Sequence, residues 1–199
     1  MRNGLDQIVR KCAHLMASKG YHGTSMRDLS QVTGRSLAGL YHYFENKEQL
    51  LYLINERGFS SLLASAHEVV ARDLTAEQRL QALIENHVSY FAGHLSEMRV
   101  MMFGTVELST RHDKEIRSIK VRYSATVRDC VAAVWHSAGG ELLSGPALER
   151  KTFLLFGMMN WIFGWYSRRQ HGSPQELAAD IHATFTHGLC AHRRRGEAA

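Results

Sequence analysis

Apolar side chains recur along the chain at the three- and four-residue spacing of a helix, and nothing in the pattern reads as a strand-rich domain. Leu5, Ile8, Cys12, Leu15 and Met16 form one stripe, which predicts a helix over 5–18 that Gly20 stops. Met26, Leu29 and Val32 mark a second helix, and Leu37, Leu40 and Tyr41 a third, from Ser36 to about Tyr43. A long helix runs from Lys47 to about Val70, with Leu50, Leu51, Leu53 and Ile54 at its start and Leu62, Leu63, Val69 and Val70 at its end. The fifth helix carries Leu80, Leu83, Ile84, Val88 and Phe91 and stops near Gly93. A sixth from Ser96 holds Met98, Met101, Met102, Phe103, Val106 and Leu108, apolar on more than one face. The seventh spans about Asp113–His136, and the eighth continues unbroken from Pro146 to about Arg168. The ninth follows from Ser173 or Pro174 to about Cys190, on a stripe of Leu177, Ile181, Phe185 and Leu189. The fold class is therefore all-α, with about nine helices.

Turn chemistry sharpens the first fifty residues. Ser25 and Asp28 have capping-box spacing, as do Thr75 and Gln78 further on. Asn46 caps the long helix, with Gln49 in the box position. Gly34 supplies the positive φ of a tight turn between two short helices, which is the pattern of a helix-turn-helix. The run GxxxTSMRDL, then TGRSLAGLYHYF, then NKEQLL, closely resembles the N-terminal DNA-binding domain of the TetR family of transcriptional regulators. The resemblance covers roughly residues 5–54 by motif and the remainder by length and helical character. It implies a three-helix DNA-binding domain over 1–46, an effector-binding and dimerisation domain over 47–192, and a charged tail over 193–199.

The chain departs from the family at Arg35, usually apolar, at Ala38, usually glycine, and at Leu37, where a basic or polar residue is common. Carried over residue by residue, the resemblance implies DNA contacts from Thr24, Ser25, Arg27, Arg35, Ser36, Leu37, Gly39, Tyr41, His42 and Lys47. Lys47 and Tyr41 suit phosphate, Arg35 suits a guanine edge or a phosphate, and Leu37 suits a thymine methyl. Tyr43 and Phe44 read as packing residues.

Charge agrees with this placement. The net charge is +5, and residues 1–50 hold seven basic and four acidic side chains, so +3 of it lies in the N-terminal quarter. Cys12, Cys130 and Cys190 are far apart and odd in number, which fits a reducing cytoplasm. The N-terminus has no apolar stretch of signal-peptide type. The longest uncharged run, Thr152–Ser167, has 16 residues, short of the ~20 that span a bilayer.

In the second half, Gly157 and Gly164 share a helix face and Trp161 and Trp165 lie four apart. With Leu177, Ile181 and Phe185 they are the expected dimer interface, since the resembled family pairs its last two helices in a four-helix contact. His87, Phe91, Met98, Met102, Glu107, Tyr123 and Asn160 are the expected effector contacts; a Met-rich interior is more often plain core, and the resemblance, whose second domain usually binds a small effector, is what favours a pocket. The segment GMMNWIFGWY, with SPQELAAD after it, resembles a subgroup regulating fatty-acid, acyl-CoA or steroid catabolism, whose effectors are acyl-CoA thioesters or other hydrophobic acids. No catalytic or metal motif is present, and His182, His187 and His192, five apart, do not share a helical face. The expected partners are operator DNA, a second copy and a hydrophobic effector, with no cofactor and no membrane. The rival reading is a helical ligand carrier or small enzyme without specific DNA binding.

Overall fold

The computed structural model describes residues 2–103 and 107–191. Among them run ten α-helices: α1 (Arg2–Lys19), α2 (Met26–Thr33), α3 (Leu37–Tyr41), α4 (Lys47–Val70), α5 (Ala76–Ala92), α6 (Leu95–Phe103), α7 (Thr110–Ser137), α8 (Gly145–Asn160), α9 (Arg168–His171) and α10 (Pro174–Ala191). A 3-10 turn over Trp161–Gly164 follows α8. Val106 and the 193–199 tail lie outside the described residues, as do the side chains of Leu189 and Cys190. No helix among the described residues is long and apolar enough to cross a membrane.

The capping residues act as their spacing predicts, with one change. Ser25 takes the Asp28 N–H at 3.1 Å and Asp28 returns to the Ser25 N–H at 2.8 Å. Thr75 and Gln78 form the same reciprocal pair. At α4, Asn46 accepts the Gln49 N–H at 2.8 Å, but Gln49 reaches back to the amide of Glu45, one residue before the cap.

Two compact units share the chain. One comprises Met1–Ser61 and His94–Lys120, the other Leu62–Gly93 and Val121–Ala199. Two of the three chain crossings fall inside a helix, α4 and α7, and the third lies between α5 and α6. In the first unit Ile8, Cys12, Met16, Leu29, Leu40, Phe44, Leu50, Leu51 and Ile54 are buried, so Phe44 closes the small core as expected. Burial pushes the Cys12 thiol up to about 12, which leaves it an inert core filler. α6 packs on α1 in this unit, and polar pairs edge the contact: Arg10 to His94 at 2.8 Å and His14 to Ser96 at 3.2 Å. The second unit is organised by α5 against α10, with Leu80, Leu83, Ile84, Val88, Ile181 and Phe185 buried.

The expected eighth helix breaks. α8 ends at Asn160, the chain tightens into the 3-10 turn, and Ser167 is extended before α9. No proline or helix-stopping glycine announces the break. It falls at the residue whose side-chain amide is taken by His87.

Ser25→Ala should lower the unfolding free energy by about 1 kcal/mol, and Asp28→Asn by a similar amount. Because both remove one reciprocal pair, the double variant should fall short of the sum by at least ~0.5 kcal/mol in urea unfolding.

Candidate nucleic-acid interface and interior polar cluster

The corner between α2 and α3 is held by its own backbone. Gly34 sits at φ 69°, and its N–H donates to Gln31 and Ser30 carbonyls. The Arg35 N–H also donates to the Ser30 carbonyl, at 3.2 Å. Ser36 then caps α3 by accepting the Gly39 N–H at 3.1 Å. α3 is shorter than the pattern predicts, ending at Tyr41, and Gly39 is half-buried, where an added Cβ would lie 3.3 Å from Ser36 Oγ.

This corner leaves a continuous run of side chains in solvent. Arg27, Arg35, Ser36, Leu37, Tyr41 and His42 are all exposed, Tyr41 by 51% and Leu37 by 36%. Exposed aromatic and aliphatic groups beside two guanidinium groups suit a duplex, whose grooves offer phosphate, base edges and methyl groups. Three expected contacts stand differently. Thr24 is buried and donates to the Gly20 carbonyl at 2.8 Å, so its side chain fixes the turn before α2. The Ser25 hydroxyl is engaged in the capping pair. Lys47 directs its ammonium at the carbonyls of Tyr21 (2.7 Å) and Thr24 (2.9 Å), over the Tyr21 ring at 4.2 Å. Tyr21 is the residue that sequence reasoning missed. A backbone carbonyl and a ring face that receive a lysine twenty-six positions away leave no local pattern.

The same unit ties the start of α4 to the start of α7. His112 Nδ1 lies 2.8 Å from Glu48 Oε1, and the Ser109 N–H donates to that carboxylate at 2.8 Å. Burial works against the Glu48 charge, but these two bonds outweigh it and hold the carboxyl below its usual range. The Tyr52 ring stacks on His112 at 4.0 Å, and its hydroxyl donates to Glu115 at 2.8 Å.

In the second unit four of the seven expected effector contacts converge. His87 is 2% exposed. Its Nδ1 lies 2.8 Å from the Tyr123 hydroxyl and its Nε2 3.1 Å from Asn160 Oδ1. An amide oxygen only accepts, so Nε2 carries the proton and Nδ1 accepts from the Tyr123 hydroxyl. Phe91 meets the imidazole edge-on at 4.9 Å, and Phe156, not foreseen, closes on both His87 (6.3 Å) and Tyr123 (5.9 Å). Burial lowers the His87 pKa to about 4 and raises that of Tyr123. Met98, Met102 and Glu107 belong to the other unit. There Met98 is wholly buried on α6, and Glu107 is bonded to His22 at 2.8 Å.

The expected dimer residues also divide. Ile181 and Phe185 are buried within the protomer, in the unit where α10 packs on α5, and Leu177 is half-buried. Trp161 (61%) and Trp165 (45%) are exposed, joined by Phe153 (59%) and Leu154 (66%), which the sequence reading did not single out. Gly157 has open space where a Cβ would stand, whereas Gly164 faces the Trp161 ring.

The depressed His87 pKa makes stability depend on pH. A neutral imidazole is required in the fold, so the unfolded chain binds the extra proton. The stabilisation is complete above the unfolded pKa of ~6.5 and is lost as pH falls toward about 4. Urea unfolding from pH 7 to 4 should show a loss on the order of 2–3 kcal/mol that His87→Gln largely flattens. His182, also lowered by burial, and the lowered carboxyls of Glu48, Glu115 and Glu176 supply the residual slope.

Comparison with known proteins bears on both halves. Residues 73–189 match the family described as "Tetracyclin repressor-like, C-terminal domain", and residues 8–54 match "Bacterial regulatory proteins, tetR family". A fatty acid metabolism regulator protein of Bacillus subtilis (strain 168) is 26% identical over 87 residues, 44% of this chain and 45% of that protein. The aligned region thus spans about half the length of that relative. A TetR-family transcriptional regulator from Bordetella parapertussis 12822 superposes with a TM-score of 0.85 at 25% identity, covering 93% of this chain and 95% of that one. AibR, solved in complex with isovaleryl coenzyme A and operator DNA, gives a TM-score of 0.74 at 21% identity, over 91% and 97% of the chains. With its two matched regions together covering most of its length, the chain belongs to the TetR family of bacterial transcriptional regulators.

Proposed function

We propose that the protein is a ligand-responsive repressor. It binds a partly palindromic operator as a homodimer, with half-sites ~34–36 Å apart or a multiple of that, and a small hydrophobic effector, such as an acyl-CoA, releases it. It works in the cytoplasm without catalysing a reaction. The observation that carries this reading is the exposed run Arg27, Arg35, Leu37, Tyr41 and His42 on a corner locked by its own hydrogen bonds. A rigid corner presenting cations and apolar groups loses little entropy on docking.

Dimerisation is supported by Phe153, Leu154, Trp161 and Trp165, four large apolar side chains exposed around the end of α8. Tryptophans in that setting are typical interface anchors. Effector binding is supported by the His87, Tyr123 and Asn160 cluster, a few convergent polar groups among aromatic rings. The acyl-CoA class rests on two relatives, a fatty acid metabolism regulator and a regulator solved with isovaleryl coenzyme A. α7 carries both Tyr123 and His112, and α4 carries Glu48, Tyr52 and Lys47. An effector that shifts α7 would therefore pull on the Glu48–His112 clasp and, through Lys47, on the turn that starts α2. The effector need only prefer one arrangement to shift the population.

The test is a salt titration of binding to the protein's own upstream DNA. Specific binding should weaken steeply with salt, and Arg35→Ala should cost about 1–3 kcal/mol on operator DNA. Lys47→Ala should lower the melting temperature and, because its ammonium is held by the Tyr21 and Thr24 carbonyls, leave the salt slope unchanged. Binding of an acyl-CoA without any duplex preference would favour a carrier instead. Sedimentation at micromolar concentration should give a dimer, and Trp161→Glu with Leu154→Glu a monomer. A long-chain acyl-CoA should raise the melting temperature and weaken operator binding, and calorimetry across a chain-length series checks it.

A further inference from the structure

α1 and α6 do not close completely on each other. Between the last turn of α1 and the second half of α6 lies a cavity of about 140 Å³, walled by Met16, Tyr21, Val100 and Phe103, with Arg99 the single cation among the described lining residues. Met16 and Val100 are buried, while Phe103 is 66% exposed. No residue of this cavity belongs to the His87 cluster.

We propose that this cavity is a second ligand site, one that takes a small uncharged apolar molecule of roughly six to nine non-hydrogen atoms and acts on the DNA-binding corner through Tyr21. The size follows from volume. An apolar cavity of ~150 Å³ stays dry and accepts benzene, whereas drug-sized ligands need ~300 Å³ or more. An acyl-CoA is far too large. The charge class follows from the walls: Met16, Ala17, Gly20, Val100 and Phe103 would leave a buried charge without a partner, and Arg99 is already engaged.

The coupling is direct. Tyr21 lines the cavity and its ring seats the Lys47 ammonium, 4.2 Å from the ring centroid. The Tyr21 carbonyl accepts from the same ammonium at 2.7 Å. A molecule seated against that ring loads the clamp that joins the start of α4 to the turn before α2. Binding stands apart from the operator reading. Only its effect on DNA rests on that reading.

The experiment uses the full chain with ¹³C-methyl methionine and two probes of similar size, neutral benzyl alcohol and anionic benzoate. Benzyl alcohol should shift the Met16 methyl resonance saturably, with half-saturation on the order of 1 mM, and benzoate should bind at least tenfold more weakly. Val100→Phe, which fills the cavity, should abolish the shift, and Ala17→Leu does the same job should Val100→Phe not fold. Tyr123→Phe, in the other cluster, should leave the shift unchanged. Saturating benzyl alcohol should weaken operator binding at least threefold in the wild type and not in Tyr21→Leu. A non-saturating Met16 shift, its persistence in the filled variants, or benzoate binding as tightly as the alcohol would overturn the site. A saturable Met16 shift in a protein without duplex preference would uphold the site and remove the operator reading instead.

Discussion

Lys47 holds two backbone carbonyls at once, and the geometry of the DNA-binding corner depends on that grip. Hydrogen bonds from an ammonium are shorter and stronger than neutral ones. Here they fasten the first residue of α4 to the turn from which α2 starts. The Thr24 hydroxyl secures the same turn from below by donating to the Gly20 carbonyl. The Ser25–Asp28 pair then fixes the first turn of α2, with Lys19 3.0 Å from the Asp28 carboxylate. The Ser25 hydroxyl and amide, followed by Lys19, hold that carboxyl well below the usual range.

The two units treat polar groups in opposite ways. In the first, charged and imidazole side chains sit at the edges of helix contacts: Arg10 with His94, His14 with Ser96, His22 with Glu107 and His112 with Glu48. Such partly exposed pairs contribute little stability each but fix the register of α1 on α6 and of α4 on α7. In the second, a histidine, a tyrosine and an asparagine are gathered inside an aromatic shell. There each bond matters more, because a buried polar group left without a partner costs roughly 1–3 kcal/mol. The interior cluster resists rearrangement unless something else satisfies its groups.

The capping boxes, the Gly34 turn and the apolar stripes were legible because each depends on residues within four positions of one another. The Ser25–Asp28 and Thr75–Gln78 pairs formed as read. The run Arg27, Arg35, Leu37 and Tyr41 lies exposed on one corner. The pattern does not choose where a side chain faces two possible partners. Ile181 and Phe185, read as interface residues, are buried within the protomer in the unit where α5 packs on α10. Phe153 and Leu154 have the same apolar character and remain outside. The α8 break was invisible for a related reason: the bond made at that point joins Asn160 to His87, 73 positions away.

Composition, spacing and local hydrogen-bonding chemistry determined the helical class, the helix-turn-helix and its exposed recognition corner. Those features are governed by short-range sterics and by the need to satisfy backbone groups at helix ends. Tertiary structure alone decided which apolar faces are covered. It alone brought His87, Tyr123 and Asn160 together from positions up to 73 residues apart, and it alone turned Lys47 inward onto the Tyr21 and Thr24 carbonyls. Contacts between distant segments are chosen by the packing of whole helices, and no local pattern records them.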